Sequence, residues 1–397
     1  MVEQLIRNEK VGGSIPLSGT NRLYPAMGSP TSLTGLYMKT YAKILTALAV
    51  SALLTACPGS SGDSSSTTTT TTTIYGLAYD AVNARLYISN VGRSTVQSLD
   101  PSALSNTPST LAGGDNVTGL TNGDGSAARF YSPASLVMGG TTLYVADTLN
   151  NVLRAVTSLT PTTGLKTVAS YVGGFTSPND ITADNTNSII YVADTGNNSI
   201  KKVTMGINPA VSLLAGSADG TSGFKDDTGN AAKFYEPTGV AVDPVSQTVY
   251  VSDSSNHLIR QITSAGVVTT LAGVATTPAS SGYVNATAGA GTTTAKFNFP
   301  TTLVLSGGAL YVTDTGNHAI RKIDTTTGEV TTFAGANIAS TSGLTDATGT
   351  NARFSLPRGI ALNGQILYVG DQSGTKLRRI SLAPATLGLV ETFTTTF

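Results

Sequence analysis

One short phrase recurs six times along the chain: a tyrosine, an apolar residue, a small residue, and then an aspartate or asparagine. The copies begin at Tyr87, Tyr144, Tyr191, Tyr250, Tyr311 and Tyr368. They lie roughly fifty to sixty residues apart, and a unit of that size cannot bury its own apolar face. The repeat therefore predicts a fold in which neighbouring units bury one another.

Each unit contains four short segments that are rich in Val, Ile, Tyr and Thr. In the fourth unit they run from Pro237 to Asp243, Thr248 to Asp253, Asn256 to Ile262 and Val267 to Leu271. Pro, Gly, Asn and Asp separate them, which is typical of antiparallel strands joined by turns. We call these strands a, b, c and d, from the inside outward. The sequence predicts an all-β, six-bladed β-propeller of four-stranded antiparallel blades over residues 74–397.

The same residues carry a family resemblance. The succession Pro-x-Gly-Val-Ala-Val-Asp, Tyr-Val-x-Asp-x-x-Asn-His and Ile-Arg-x-Ile resembles the NHL repeat, from Ile74 to Phe397. Blades three to five fit best. Blade one has Asn90 in place of the aspartate, and blade six has Gln372-Ser-Gly-Thr in place of the Asn-His pair. Terminal repeats are commonly atypical, and the sequence leaves open how the ring closes.

The segment 38–56 is predicted to be a bacterial lipoprotein signal peptide. Lys39 and Lys43 precede an apolar run that is too short to span a membrane. The run ends in Leu54-Thr-Ala-Cys57, which resembles the lipobox and implies that Cys57 is lipidated as the first mature residue. The alternative is that Cys57, the chain's one cysteine, is an incidental thiol behind a plain export signal.

The regions on either side of this leader also have predicted roles. Residues 1–37 lack periodicity and are expected to be an upstream mis-start or disordered, with Met38 as the true start. Residues 57–73 form a Ser/Thr-rich tether. We therefore expect a membrane-anchored lipoprotein of the bacterial cell envelope that faces the periplasm or the exterior. From Cys57 onward, 18 Lys and Arg face 21 Asp and Glu, a net charge of −3, which argues against nucleic-acid binding.

The recurring polar residues are predicted to fix turns. The aspartate that ends strand b can accept hydrogen bonds from the amides that follow it. The two histidines occupy one repeat position in consecutive blades and fall short of the three or four ligands of a zinc site. These structural residues are Asp147, Asp194, Asp253, Asp314, Asp371, His257 and His318.

Four connections between strand d of one blade and strand a of the next are long, and strand parity places all four on one face of the propeller. We call these connections, which precede blades two, four, five and six, the insertions. Their shared Ala-basic-Phe ending argues for order, with the phenylalanines plugging gaps between blades. The candidate binding face comprises Asp124, Arg129, Asp226, Asp227, Lys233, Lys296, Asp346 and Arg353. The four cations could meet an anionic ligand, or pair with Asp124, Asp227 and Asp346; we expect the pairing.

No catalytic or metal site is predicted. The chain contains no nucleophile elbow, P-loop or His-Glu-x-x-His motif. Calcium remains a minor possibility at Asn122-Gly-Asp124-Gly or Asp226-Asp-Thr-Gly, although neither supplies the alternating ligands of a known loop. No cofactor is expected.

The sequence favours a non-enzymatic binding or scaffold module, a monomer that recognises an envelope protein, peptide or glycan through its insertions. The alternative implied by the resemblance is a metal-dependent lyase or lactonase-like hydrolase with its site at the central channel. The inner strands offer mostly small apolar residues there, with Asn179 and Asp180 as the nearest exceptions. A purely architectural envelope protein is a third reading.

Overall fold

The computed structural model describes residues 72–102, 107–159, 166–276, 280–336, 341–371 and 375–394. The predictions for the leader, for Cys57 and for the tether as far as residue 71 lie outside these ranges. So does the Gln372-Ser-Gly stretch of blade six.

Six antiparallel sheets follow one another along the chain. Blade one contains β1 (Ile74–Asp80), β2 (Arg85–Asn90), β3 (Thr95–Leu99) and β4 (Ser109–Ala112). Blade two contains β5 (Gly123–Asp124), β6 (Pro133–Gly139), β7 (Thr142–Asp147), β8 (Val152–Thr157) and β9 (Thr167–Gly173). Blade three contains β10 (Pro178–Asp184), β11 (Ile189–Asp194), β12 (Ser199–Thr204) and β13 (Val211–Gly216).

The second half of the chain repeats this plan. Blade four contains β14 (Pro237–Asp243), β15 (Thr248–Asp253), β16 (Leu258–Ile262) and β17 (Val268–Ala272). Blade five contains β18 (Pro300–Ser306), β19 (Ala309–Asp314), β20 (Ala319–Asp324) and β21 (Val330–Ala334). Blade six contains β22 (Ala347–Thr348), β23 (Pro357–Asn363), β24 (Ile366–Asp371), β25 (Lys376–Ser381) and β26 (Leu389–Thr394). The predicted six-bladed propeller of antiparallel blades is confirmed.

Helix in the described ranges is limited to single 3-10 turns. They lie at Gly125–Ala127, Thr148–Asn150, Thr195–Asn197, Gly229–Ala231, Ser254–Asn256, Thr315–Asn317, Gly349–Asn351 and Pro384–Thr386. Within the same ranges no helix has the length and apolar character to cross a membrane.

The insertions add to their own blades. β5 pairs with the outer strand β9, and β22 pairs with the outer strand β26, so two sheets have five strands. Isolated bridges from Thr228 to Val267 and from Ala286 to Val330 make the same contact in blades four and five. Each insertion therefore covers the outer edge of the blade that follows it, an edge that would otherwise present unpaired backbone groups.

The inner strand of each blade begins with a shift of register. In blades two to six, the proline that opens strand a pairs with the aspartate that ends strand b, as Pro237 does with Asp253, and the register then shifts. In blade one, Ile74 and Asn90 form the matching pair. Bulges of this kind re-aim a side chain. The shift occurs at the residues that follow the proline, where the inner strand enters the central channel.

The core consists of apolar clusters that join neighbouring blades. Blades three and four share one that includes Tyr191, Ile200, Val249 and Ile262. The phenylalanine that ends each insertion is fully buried in these clusters, which confirms the predicted packing role. These residues are Phe130, Phe234, Phe297 and Phe354.

The ring closes by side-chain packing. Ile74 and Ile88 of blade one share a buried cluster with Tyr368, Leu377 and Phe393 of blade six. Each described sheet is built from one continuous stretch of chain, and the first and last blades share no strand. The question that the sequence left open is therefore answered by apolar burial between blades.

Candidate binding face and channel mouth

The aspartate that ends strand b organises its turn from a fully buried position. In blade four, the Oδ1 of Asp253 accepts a hydrogen bond from the Tyr235 amide at 2.7 Å. Its Oδ2 accepts from Asn256 Nδ2 at 2.8 Å and from Arg260 Nη1 at 2.7 Å. Burial raises the pKa of this carboxyl, and the Arg260 guanidinium opposes the rise. Asp147, Asp194, Asp314 and Asp371 accept equivalent bonds.

Four arginines of strand c complete this network, and sequence reasoning assigned them no role. Each lies seven residues after the aspartate, and each is fully buried: Arg154, Arg260, Arg321 and Arg378. Arg260 stacks between Phe224 and Phe234, with its Cζ 4.9 and 5.1 Å from the two ring centroids. The sequence did contain a signal for this role. The arginine of the Ile-Arg-x-Ile phrase, or its counterpart, lies seven residues after the strand b aspartate in these four blades.

The arginines anchor the insertions. The Nη2 of Arg260 donates to Asp226 at 2.5 Å and to the Lys225 carbonyl at 3.0 Å. The other carboxylate oxygen of Asp226 accepts from the Thr270 amide on strand d at 3.0 Å. Asp346 bridges Arg378 and the Thr392 amide in the same way. Asn122 and Asn285 hold the matching places with amide oxygens.

The predicted pairing of the face cations with Asp124, Asp227 and Asp346 is wrong in the part of the chain that the structure describes. Asp124 accepts from Thr167 Oγ1, and Asp227 pairs with Lys225 at 2.6 Å. Asp346, as described, pairs with Arg378. Asp124 and Asp346 thus contact the outer strands of their own blades, whereas Asp227 is paired within its own insertion.

The cations are held elsewhere by the backbone of the insertions. The aliphatic part of each cationic side chain lies against the glycine that opens its insertion. A Cβ added to Gly282, for example, would be only 2.8 Å from the Lys296 Cδ. Gly119, Gly223 and Gly343 lie beneath Arg129, Lys233 and Arg353 in the same way. Arg129 and Arg353 donate to carbonyls of their own insertion, and Lys296 Nζ donates to Ser280. This geometry holds the four cations away from the acids.

The two histidines link adjacent blades. His257 and His318 adopt the left-handed conformation at the end of the strand b turn, with φ of 58° and 57°. Their Nδ1 atoms accept the backbone amides of Phe299 at 3.1 Å and Leu356 at 3.0 Å in the next blade. Burial lowers the pKa of both imidazoles, which favours the neutral acceptor form.

In blades two to six, one residue stands directly before the proline that opens strand a, and we call these five residues the rim. All five have positive φ, between 48° and 57°: Ser132, Ser177, Glu236, Phe299 and Leu356. Positive φ is costly for bulky side chains. Phe299 is nevertheless 50% exposed and Leu356 37% exposed. Blades five and six therefore give the rim an apolar sector that is held in a strained backbone.

Inside the rim, the inner strands surround a central cavity of about 290 Å³. Tyr75, Ala134 and Asn179 line this cavity. We call these three and the matching second residues of the other inner strands the channel mouth. They differ from blade to blade: Tyr75, Ala134, Asn179, Thr238, Thr301 and Arg358. The hydroxyl of Tyr75 accepts hydrogen bonds from Asn179 Nδ2 at 3.1 Å and from Arg358 Nη1. Three blades thus meet at one phenol.

Asn179 and Asp180, singled out from the sequence, both line this cavity. Asp180 is buried, and its carboxylate accepts from Ser135 Oγ at 2.5 Å and from the Val240 amide at 2.9 Å. Burial raises the pKa of Asp180 to about 6. It ties blade three to blades two and four. Within the described ranges no group of three or more His, Cys, Asp and Glu side chains could hold a metal ion.

Comparison with known proteins agrees with this architecture. The Teneurin NHL domain matches residues 233–381. SUPPRESSOR OF QUENCHING 1 of Arabidopsis thaliana is 27% identical over 326 residues, which cover 77% of this chain and 30% of that protein. NHL repeat-containing protein 2 of Bos taurus is 31% identical over 152 residues, which cover 37% of this chain and 20% of that protein. The chain thus spans less than a third of the length of these relatives. It is a six-bladed β-propeller whose repeats match those of NHL-repeat proteins.

Solved structures share the fold at low identity. A structural genomics protein of unknown function from Bacteroides thetaiotaomicron has a TM-score of 0.58 at 18% identity, over 81% of this chain and 72% of its own. A gluconolactonase from Xanthomonas campestris has a TM-score of 0.51 at 12% identity, over 79% of this chain and 86% of its own. At such identity the likeness shows the fold alone, and this fold supports a binding or scaffold module.

Proposed function

We propose that this propeller is a non-enzymatic binding module of the cell envelope, which recognises a protein or peptide at the rim and channel mouth. One observation carries the proposal. Phe299 and Leu356 are exposed apolar side chains in a strained backbone, and they stand two residues before the polar mouth residues Thr301 and Arg358. Exposed apolar groups on a rigid scaffold mark interaction sites.

A lipid anchor at Cys57 is the second part of the proposal. It rests on the charge, length and lipobox-like ending of the leader. Two measurements test it: lipid labelling of the full chain and its partition between membrane and soluble fractions. The C57S variant should lose both the label and the membrane fraction. A wild-type chain that carries no lipid would contradict the anchor.

Binding at the rim can be tested by substitutions that the chain itself supplies. F299S/L356S installs the serine that stands at Ser132 and Ser177 in blades two and three, so the backbone should tolerate it. The full-length variant should fold normally and lose its cross-linked partner in the envelope. The matched control, I207S/V245S, removes two apolar side chains that are 99% and 92% exposed in turns on the opposite face. It should keep the partner.

The result also separates the alternatives. A partner that F299S/L356S retains, or that only I207S/V245S loses, would contradict binding at the rim. A metal that co-purifies with the chain and supports turnover of a lactone or a similar substrate would favour the enzyme in place of the binding module.

A further inference from the structure

Arg358 differs from the recurring arginines in its partners. Arg154, Arg260, Arg321 and Arg378 each pair with a buried carboxylate. Arg358 forms no ion pair in the described ranges. Its Nη1 donates to a neutral phenol, and its Cζ lies 4.6 Å from the centroid of the Tyr75 ring. The mouth therefore holds a guanidinium whose charge no carboxylate of the described chain neutralises by direct contact.

Part of the hydrogen-bonding capacity of Arg358 is unused. Within the described ranges its Nη2 makes no hydrogen bond; its buried Nε has no partner there either, a feature that it shares with Arg154, Arg321 and Arg378. A half-buried cation is costly unless an anion or water satisfies it. Asp180 is the carboxylate that lines the cavity, and Ser135 and Val240 occupy both of its oxygens. An external anion is thus the fitting partner for Arg358.

The neighbours of Arg358 add neutral donors. Tyr75 accepts from both Asn179 and Arg358, so both lone pairs of its oxygen are used and its own hydrogen is left to donate. The Asn179 amide has a second N–H besides the one that it gives to Tyr75. A guanidinium, a phenol and an amide converge, and such donors suit the two oxygens of a carboxylate.

The rim residues limit the class of ligand that can carry this carboxylate. Leu356 and Phe299 place apolar surface on the side of the mouth where Arg358 stands, and Glu236 occupies the rim of blade four. A carboxylate at this rim would repel a polyanionic chain, and apolar walls give little to a sugar acid. The cavity of about 290 Å³ that Tyr75 and Asn179 line lies at the small end of ligand pockets. It suits the end of a chain.

We propose that the channel mouth binds the C-terminal carboxylate of a peptide or protein that ends in an apolar residue. This inference rests on the proposed binding function and specifies its ligand. Arg358, with Tyr75 and Asn179, holds the carboxylate. Leu356 and Phe299 contact the terminal apolar side chain.

Titration calorimetry on the full chain tests this with paired peptides. Short peptides ending in Leu, Ile, Val or Phe are compared as free acids and as C-terminal amides, with decanoate and glucuronate as carboxylates from other sources. At least one acid peptide should bind ten-fold or more tightly than its amide. R358Q should reduce that acid to the affinity of its amide. K322Q, which removes an exposed cation of strand β20, should change nothing.

A gentler variant guards against misfolding. Y75F keeps the ring beneath Arg358 and removes the hydroxyl, and it should weaken the acid alone by a few-fold. Equal affinity for acid and amide, preference for decanoate or glucuronate, or full acid preference in R358Q would each overturn the carboxylate site. If the partner still depends on Phe299 and Leu356 in those cases, the proposed binding function stands and only its ligand is wrong.

Discussion

Two regions of the molecule use polar residues in opposite ways. One is the network that the strand b aspartate and the strand c arginine form in a blade, and the other is the channel mouth. The network repeats the same side chains: an aspartate ends strand b, and an arginine follows seven residues later in four blades. The mouth uses six equivalent positions for five different residue types. A group that every repeat needs serves the repeat, whereas a group that appears once must serve the whole ring. Recurrence therefore marks the scaffold, and divergence marks the recognition site.

Blade one shows that the recurring link is structural. It replaces the ion pair with two amides, and Asn90 Nδ2 donates to Gln97 Oε1 at 3.2 Å across the same spacing of seven residues. Asn90 Oδ1 also accepts the Thr73 amide, as the aspartates accept theirs. The contact survives without charge, so its role is to close the turn.

Removing one partner of a buried pair should have the largest effect on stability. D253A leaves the fully buried Arg260 without its inner carboxylate, which costs about 3–5 kcal/mol of the free energy of unfolding. Urea unfolding measures the loss. D227A, which removes a partly exposed acid that pairs with the exposed Lys225, is the control and should leave the midpoint nearly unchanged. A D253A midpoint equal to the control would show that the network does not stabilise the blade.

Blade three allows the amide link of blade one to be transplanted. K201M leaves the buried Asp194 without its 2.6 Å partner and should cost roughly 2–3 kcal/mol. D194N/K201Q copies Asn90 and Gln97, and should recover most of that loss because no charge stays unpaired. Thermal unfolding of both variants decides the point. A double variant that is less stable than K201M would mean that charge itself is required.

The histidine links predict a pH dependence. The pKa of His257 and His318 is lowered in the folded state, so the folded protein takes up protons less readily than the unfolded chain. Their stabilisation is complete above pH ~6.5 and is lost as the pH falls below that value. Each lost Nδ1 acceptor should cost about 1 kcal/mol.

The control for this pH dependence is the variant H257N/H318N, in which asparagine replaces both histidines. Asn151 and Asn198 already accept the same bond in blades two and three. The raised pKa of Asp180 acts in the opposite direction, so the histidine contribution is the difference between wild type and variant at pH 5 and pH 7.5. Equal pH dependence in both proteins would contradict a role for the two imidazoles.

The smallest effect is expected at the base of the insertions. R129Q/R353Q removes guanidinium groups that donate only to nearby carbonyls in the described chain, and should change the free energy of unfolding by less than about 0.5 kcal/mol. Urea titration and partner cross-linking should both match wild type. If the variant no longer cross-links the partner, Arg129 and Arg353 belong to the binding site after all.

The fold was predictable because its signals are local and repeated. Strand patterns, turns and the Tyr-x-x-Asp phrase fix the blades, and parity places the insertions beside the turns, where Asn256 donates to the Gly223 carbonyl. The partners of the insertion acids were not predictable in this way. Asp226 is satisfied by a backbone amide of strand d, and any residue type can supply that amide.

The channel mouth could not be predicted from the sequence for a different reason. Arg358 and Tyr75 are 283 residues apart, and only closure of the ring brings them together. Neither belongs to a motif, because the same positions hold alanine, asparagine or threonine in the other blades. Asn179 was noticed as an exception among inner strands, but its partner on blade one requires the three-dimensional ring.

The most direct test measures stability and partner binding on the same variants at both regions. R358Q, N179A and Y75F should keep the unfolding midpoint of wild type and bind the envelope partner more weakly, with R358Q showing the largest loss and Y75F a loss of a few-fold. D253A should lower the midpoint, while the fraction that stays folded binds with wild-type affinity. The opposite result, in which mouth variants bind normally and network variants lose binding while still folded, would contradict the division between scaffold and recognition site.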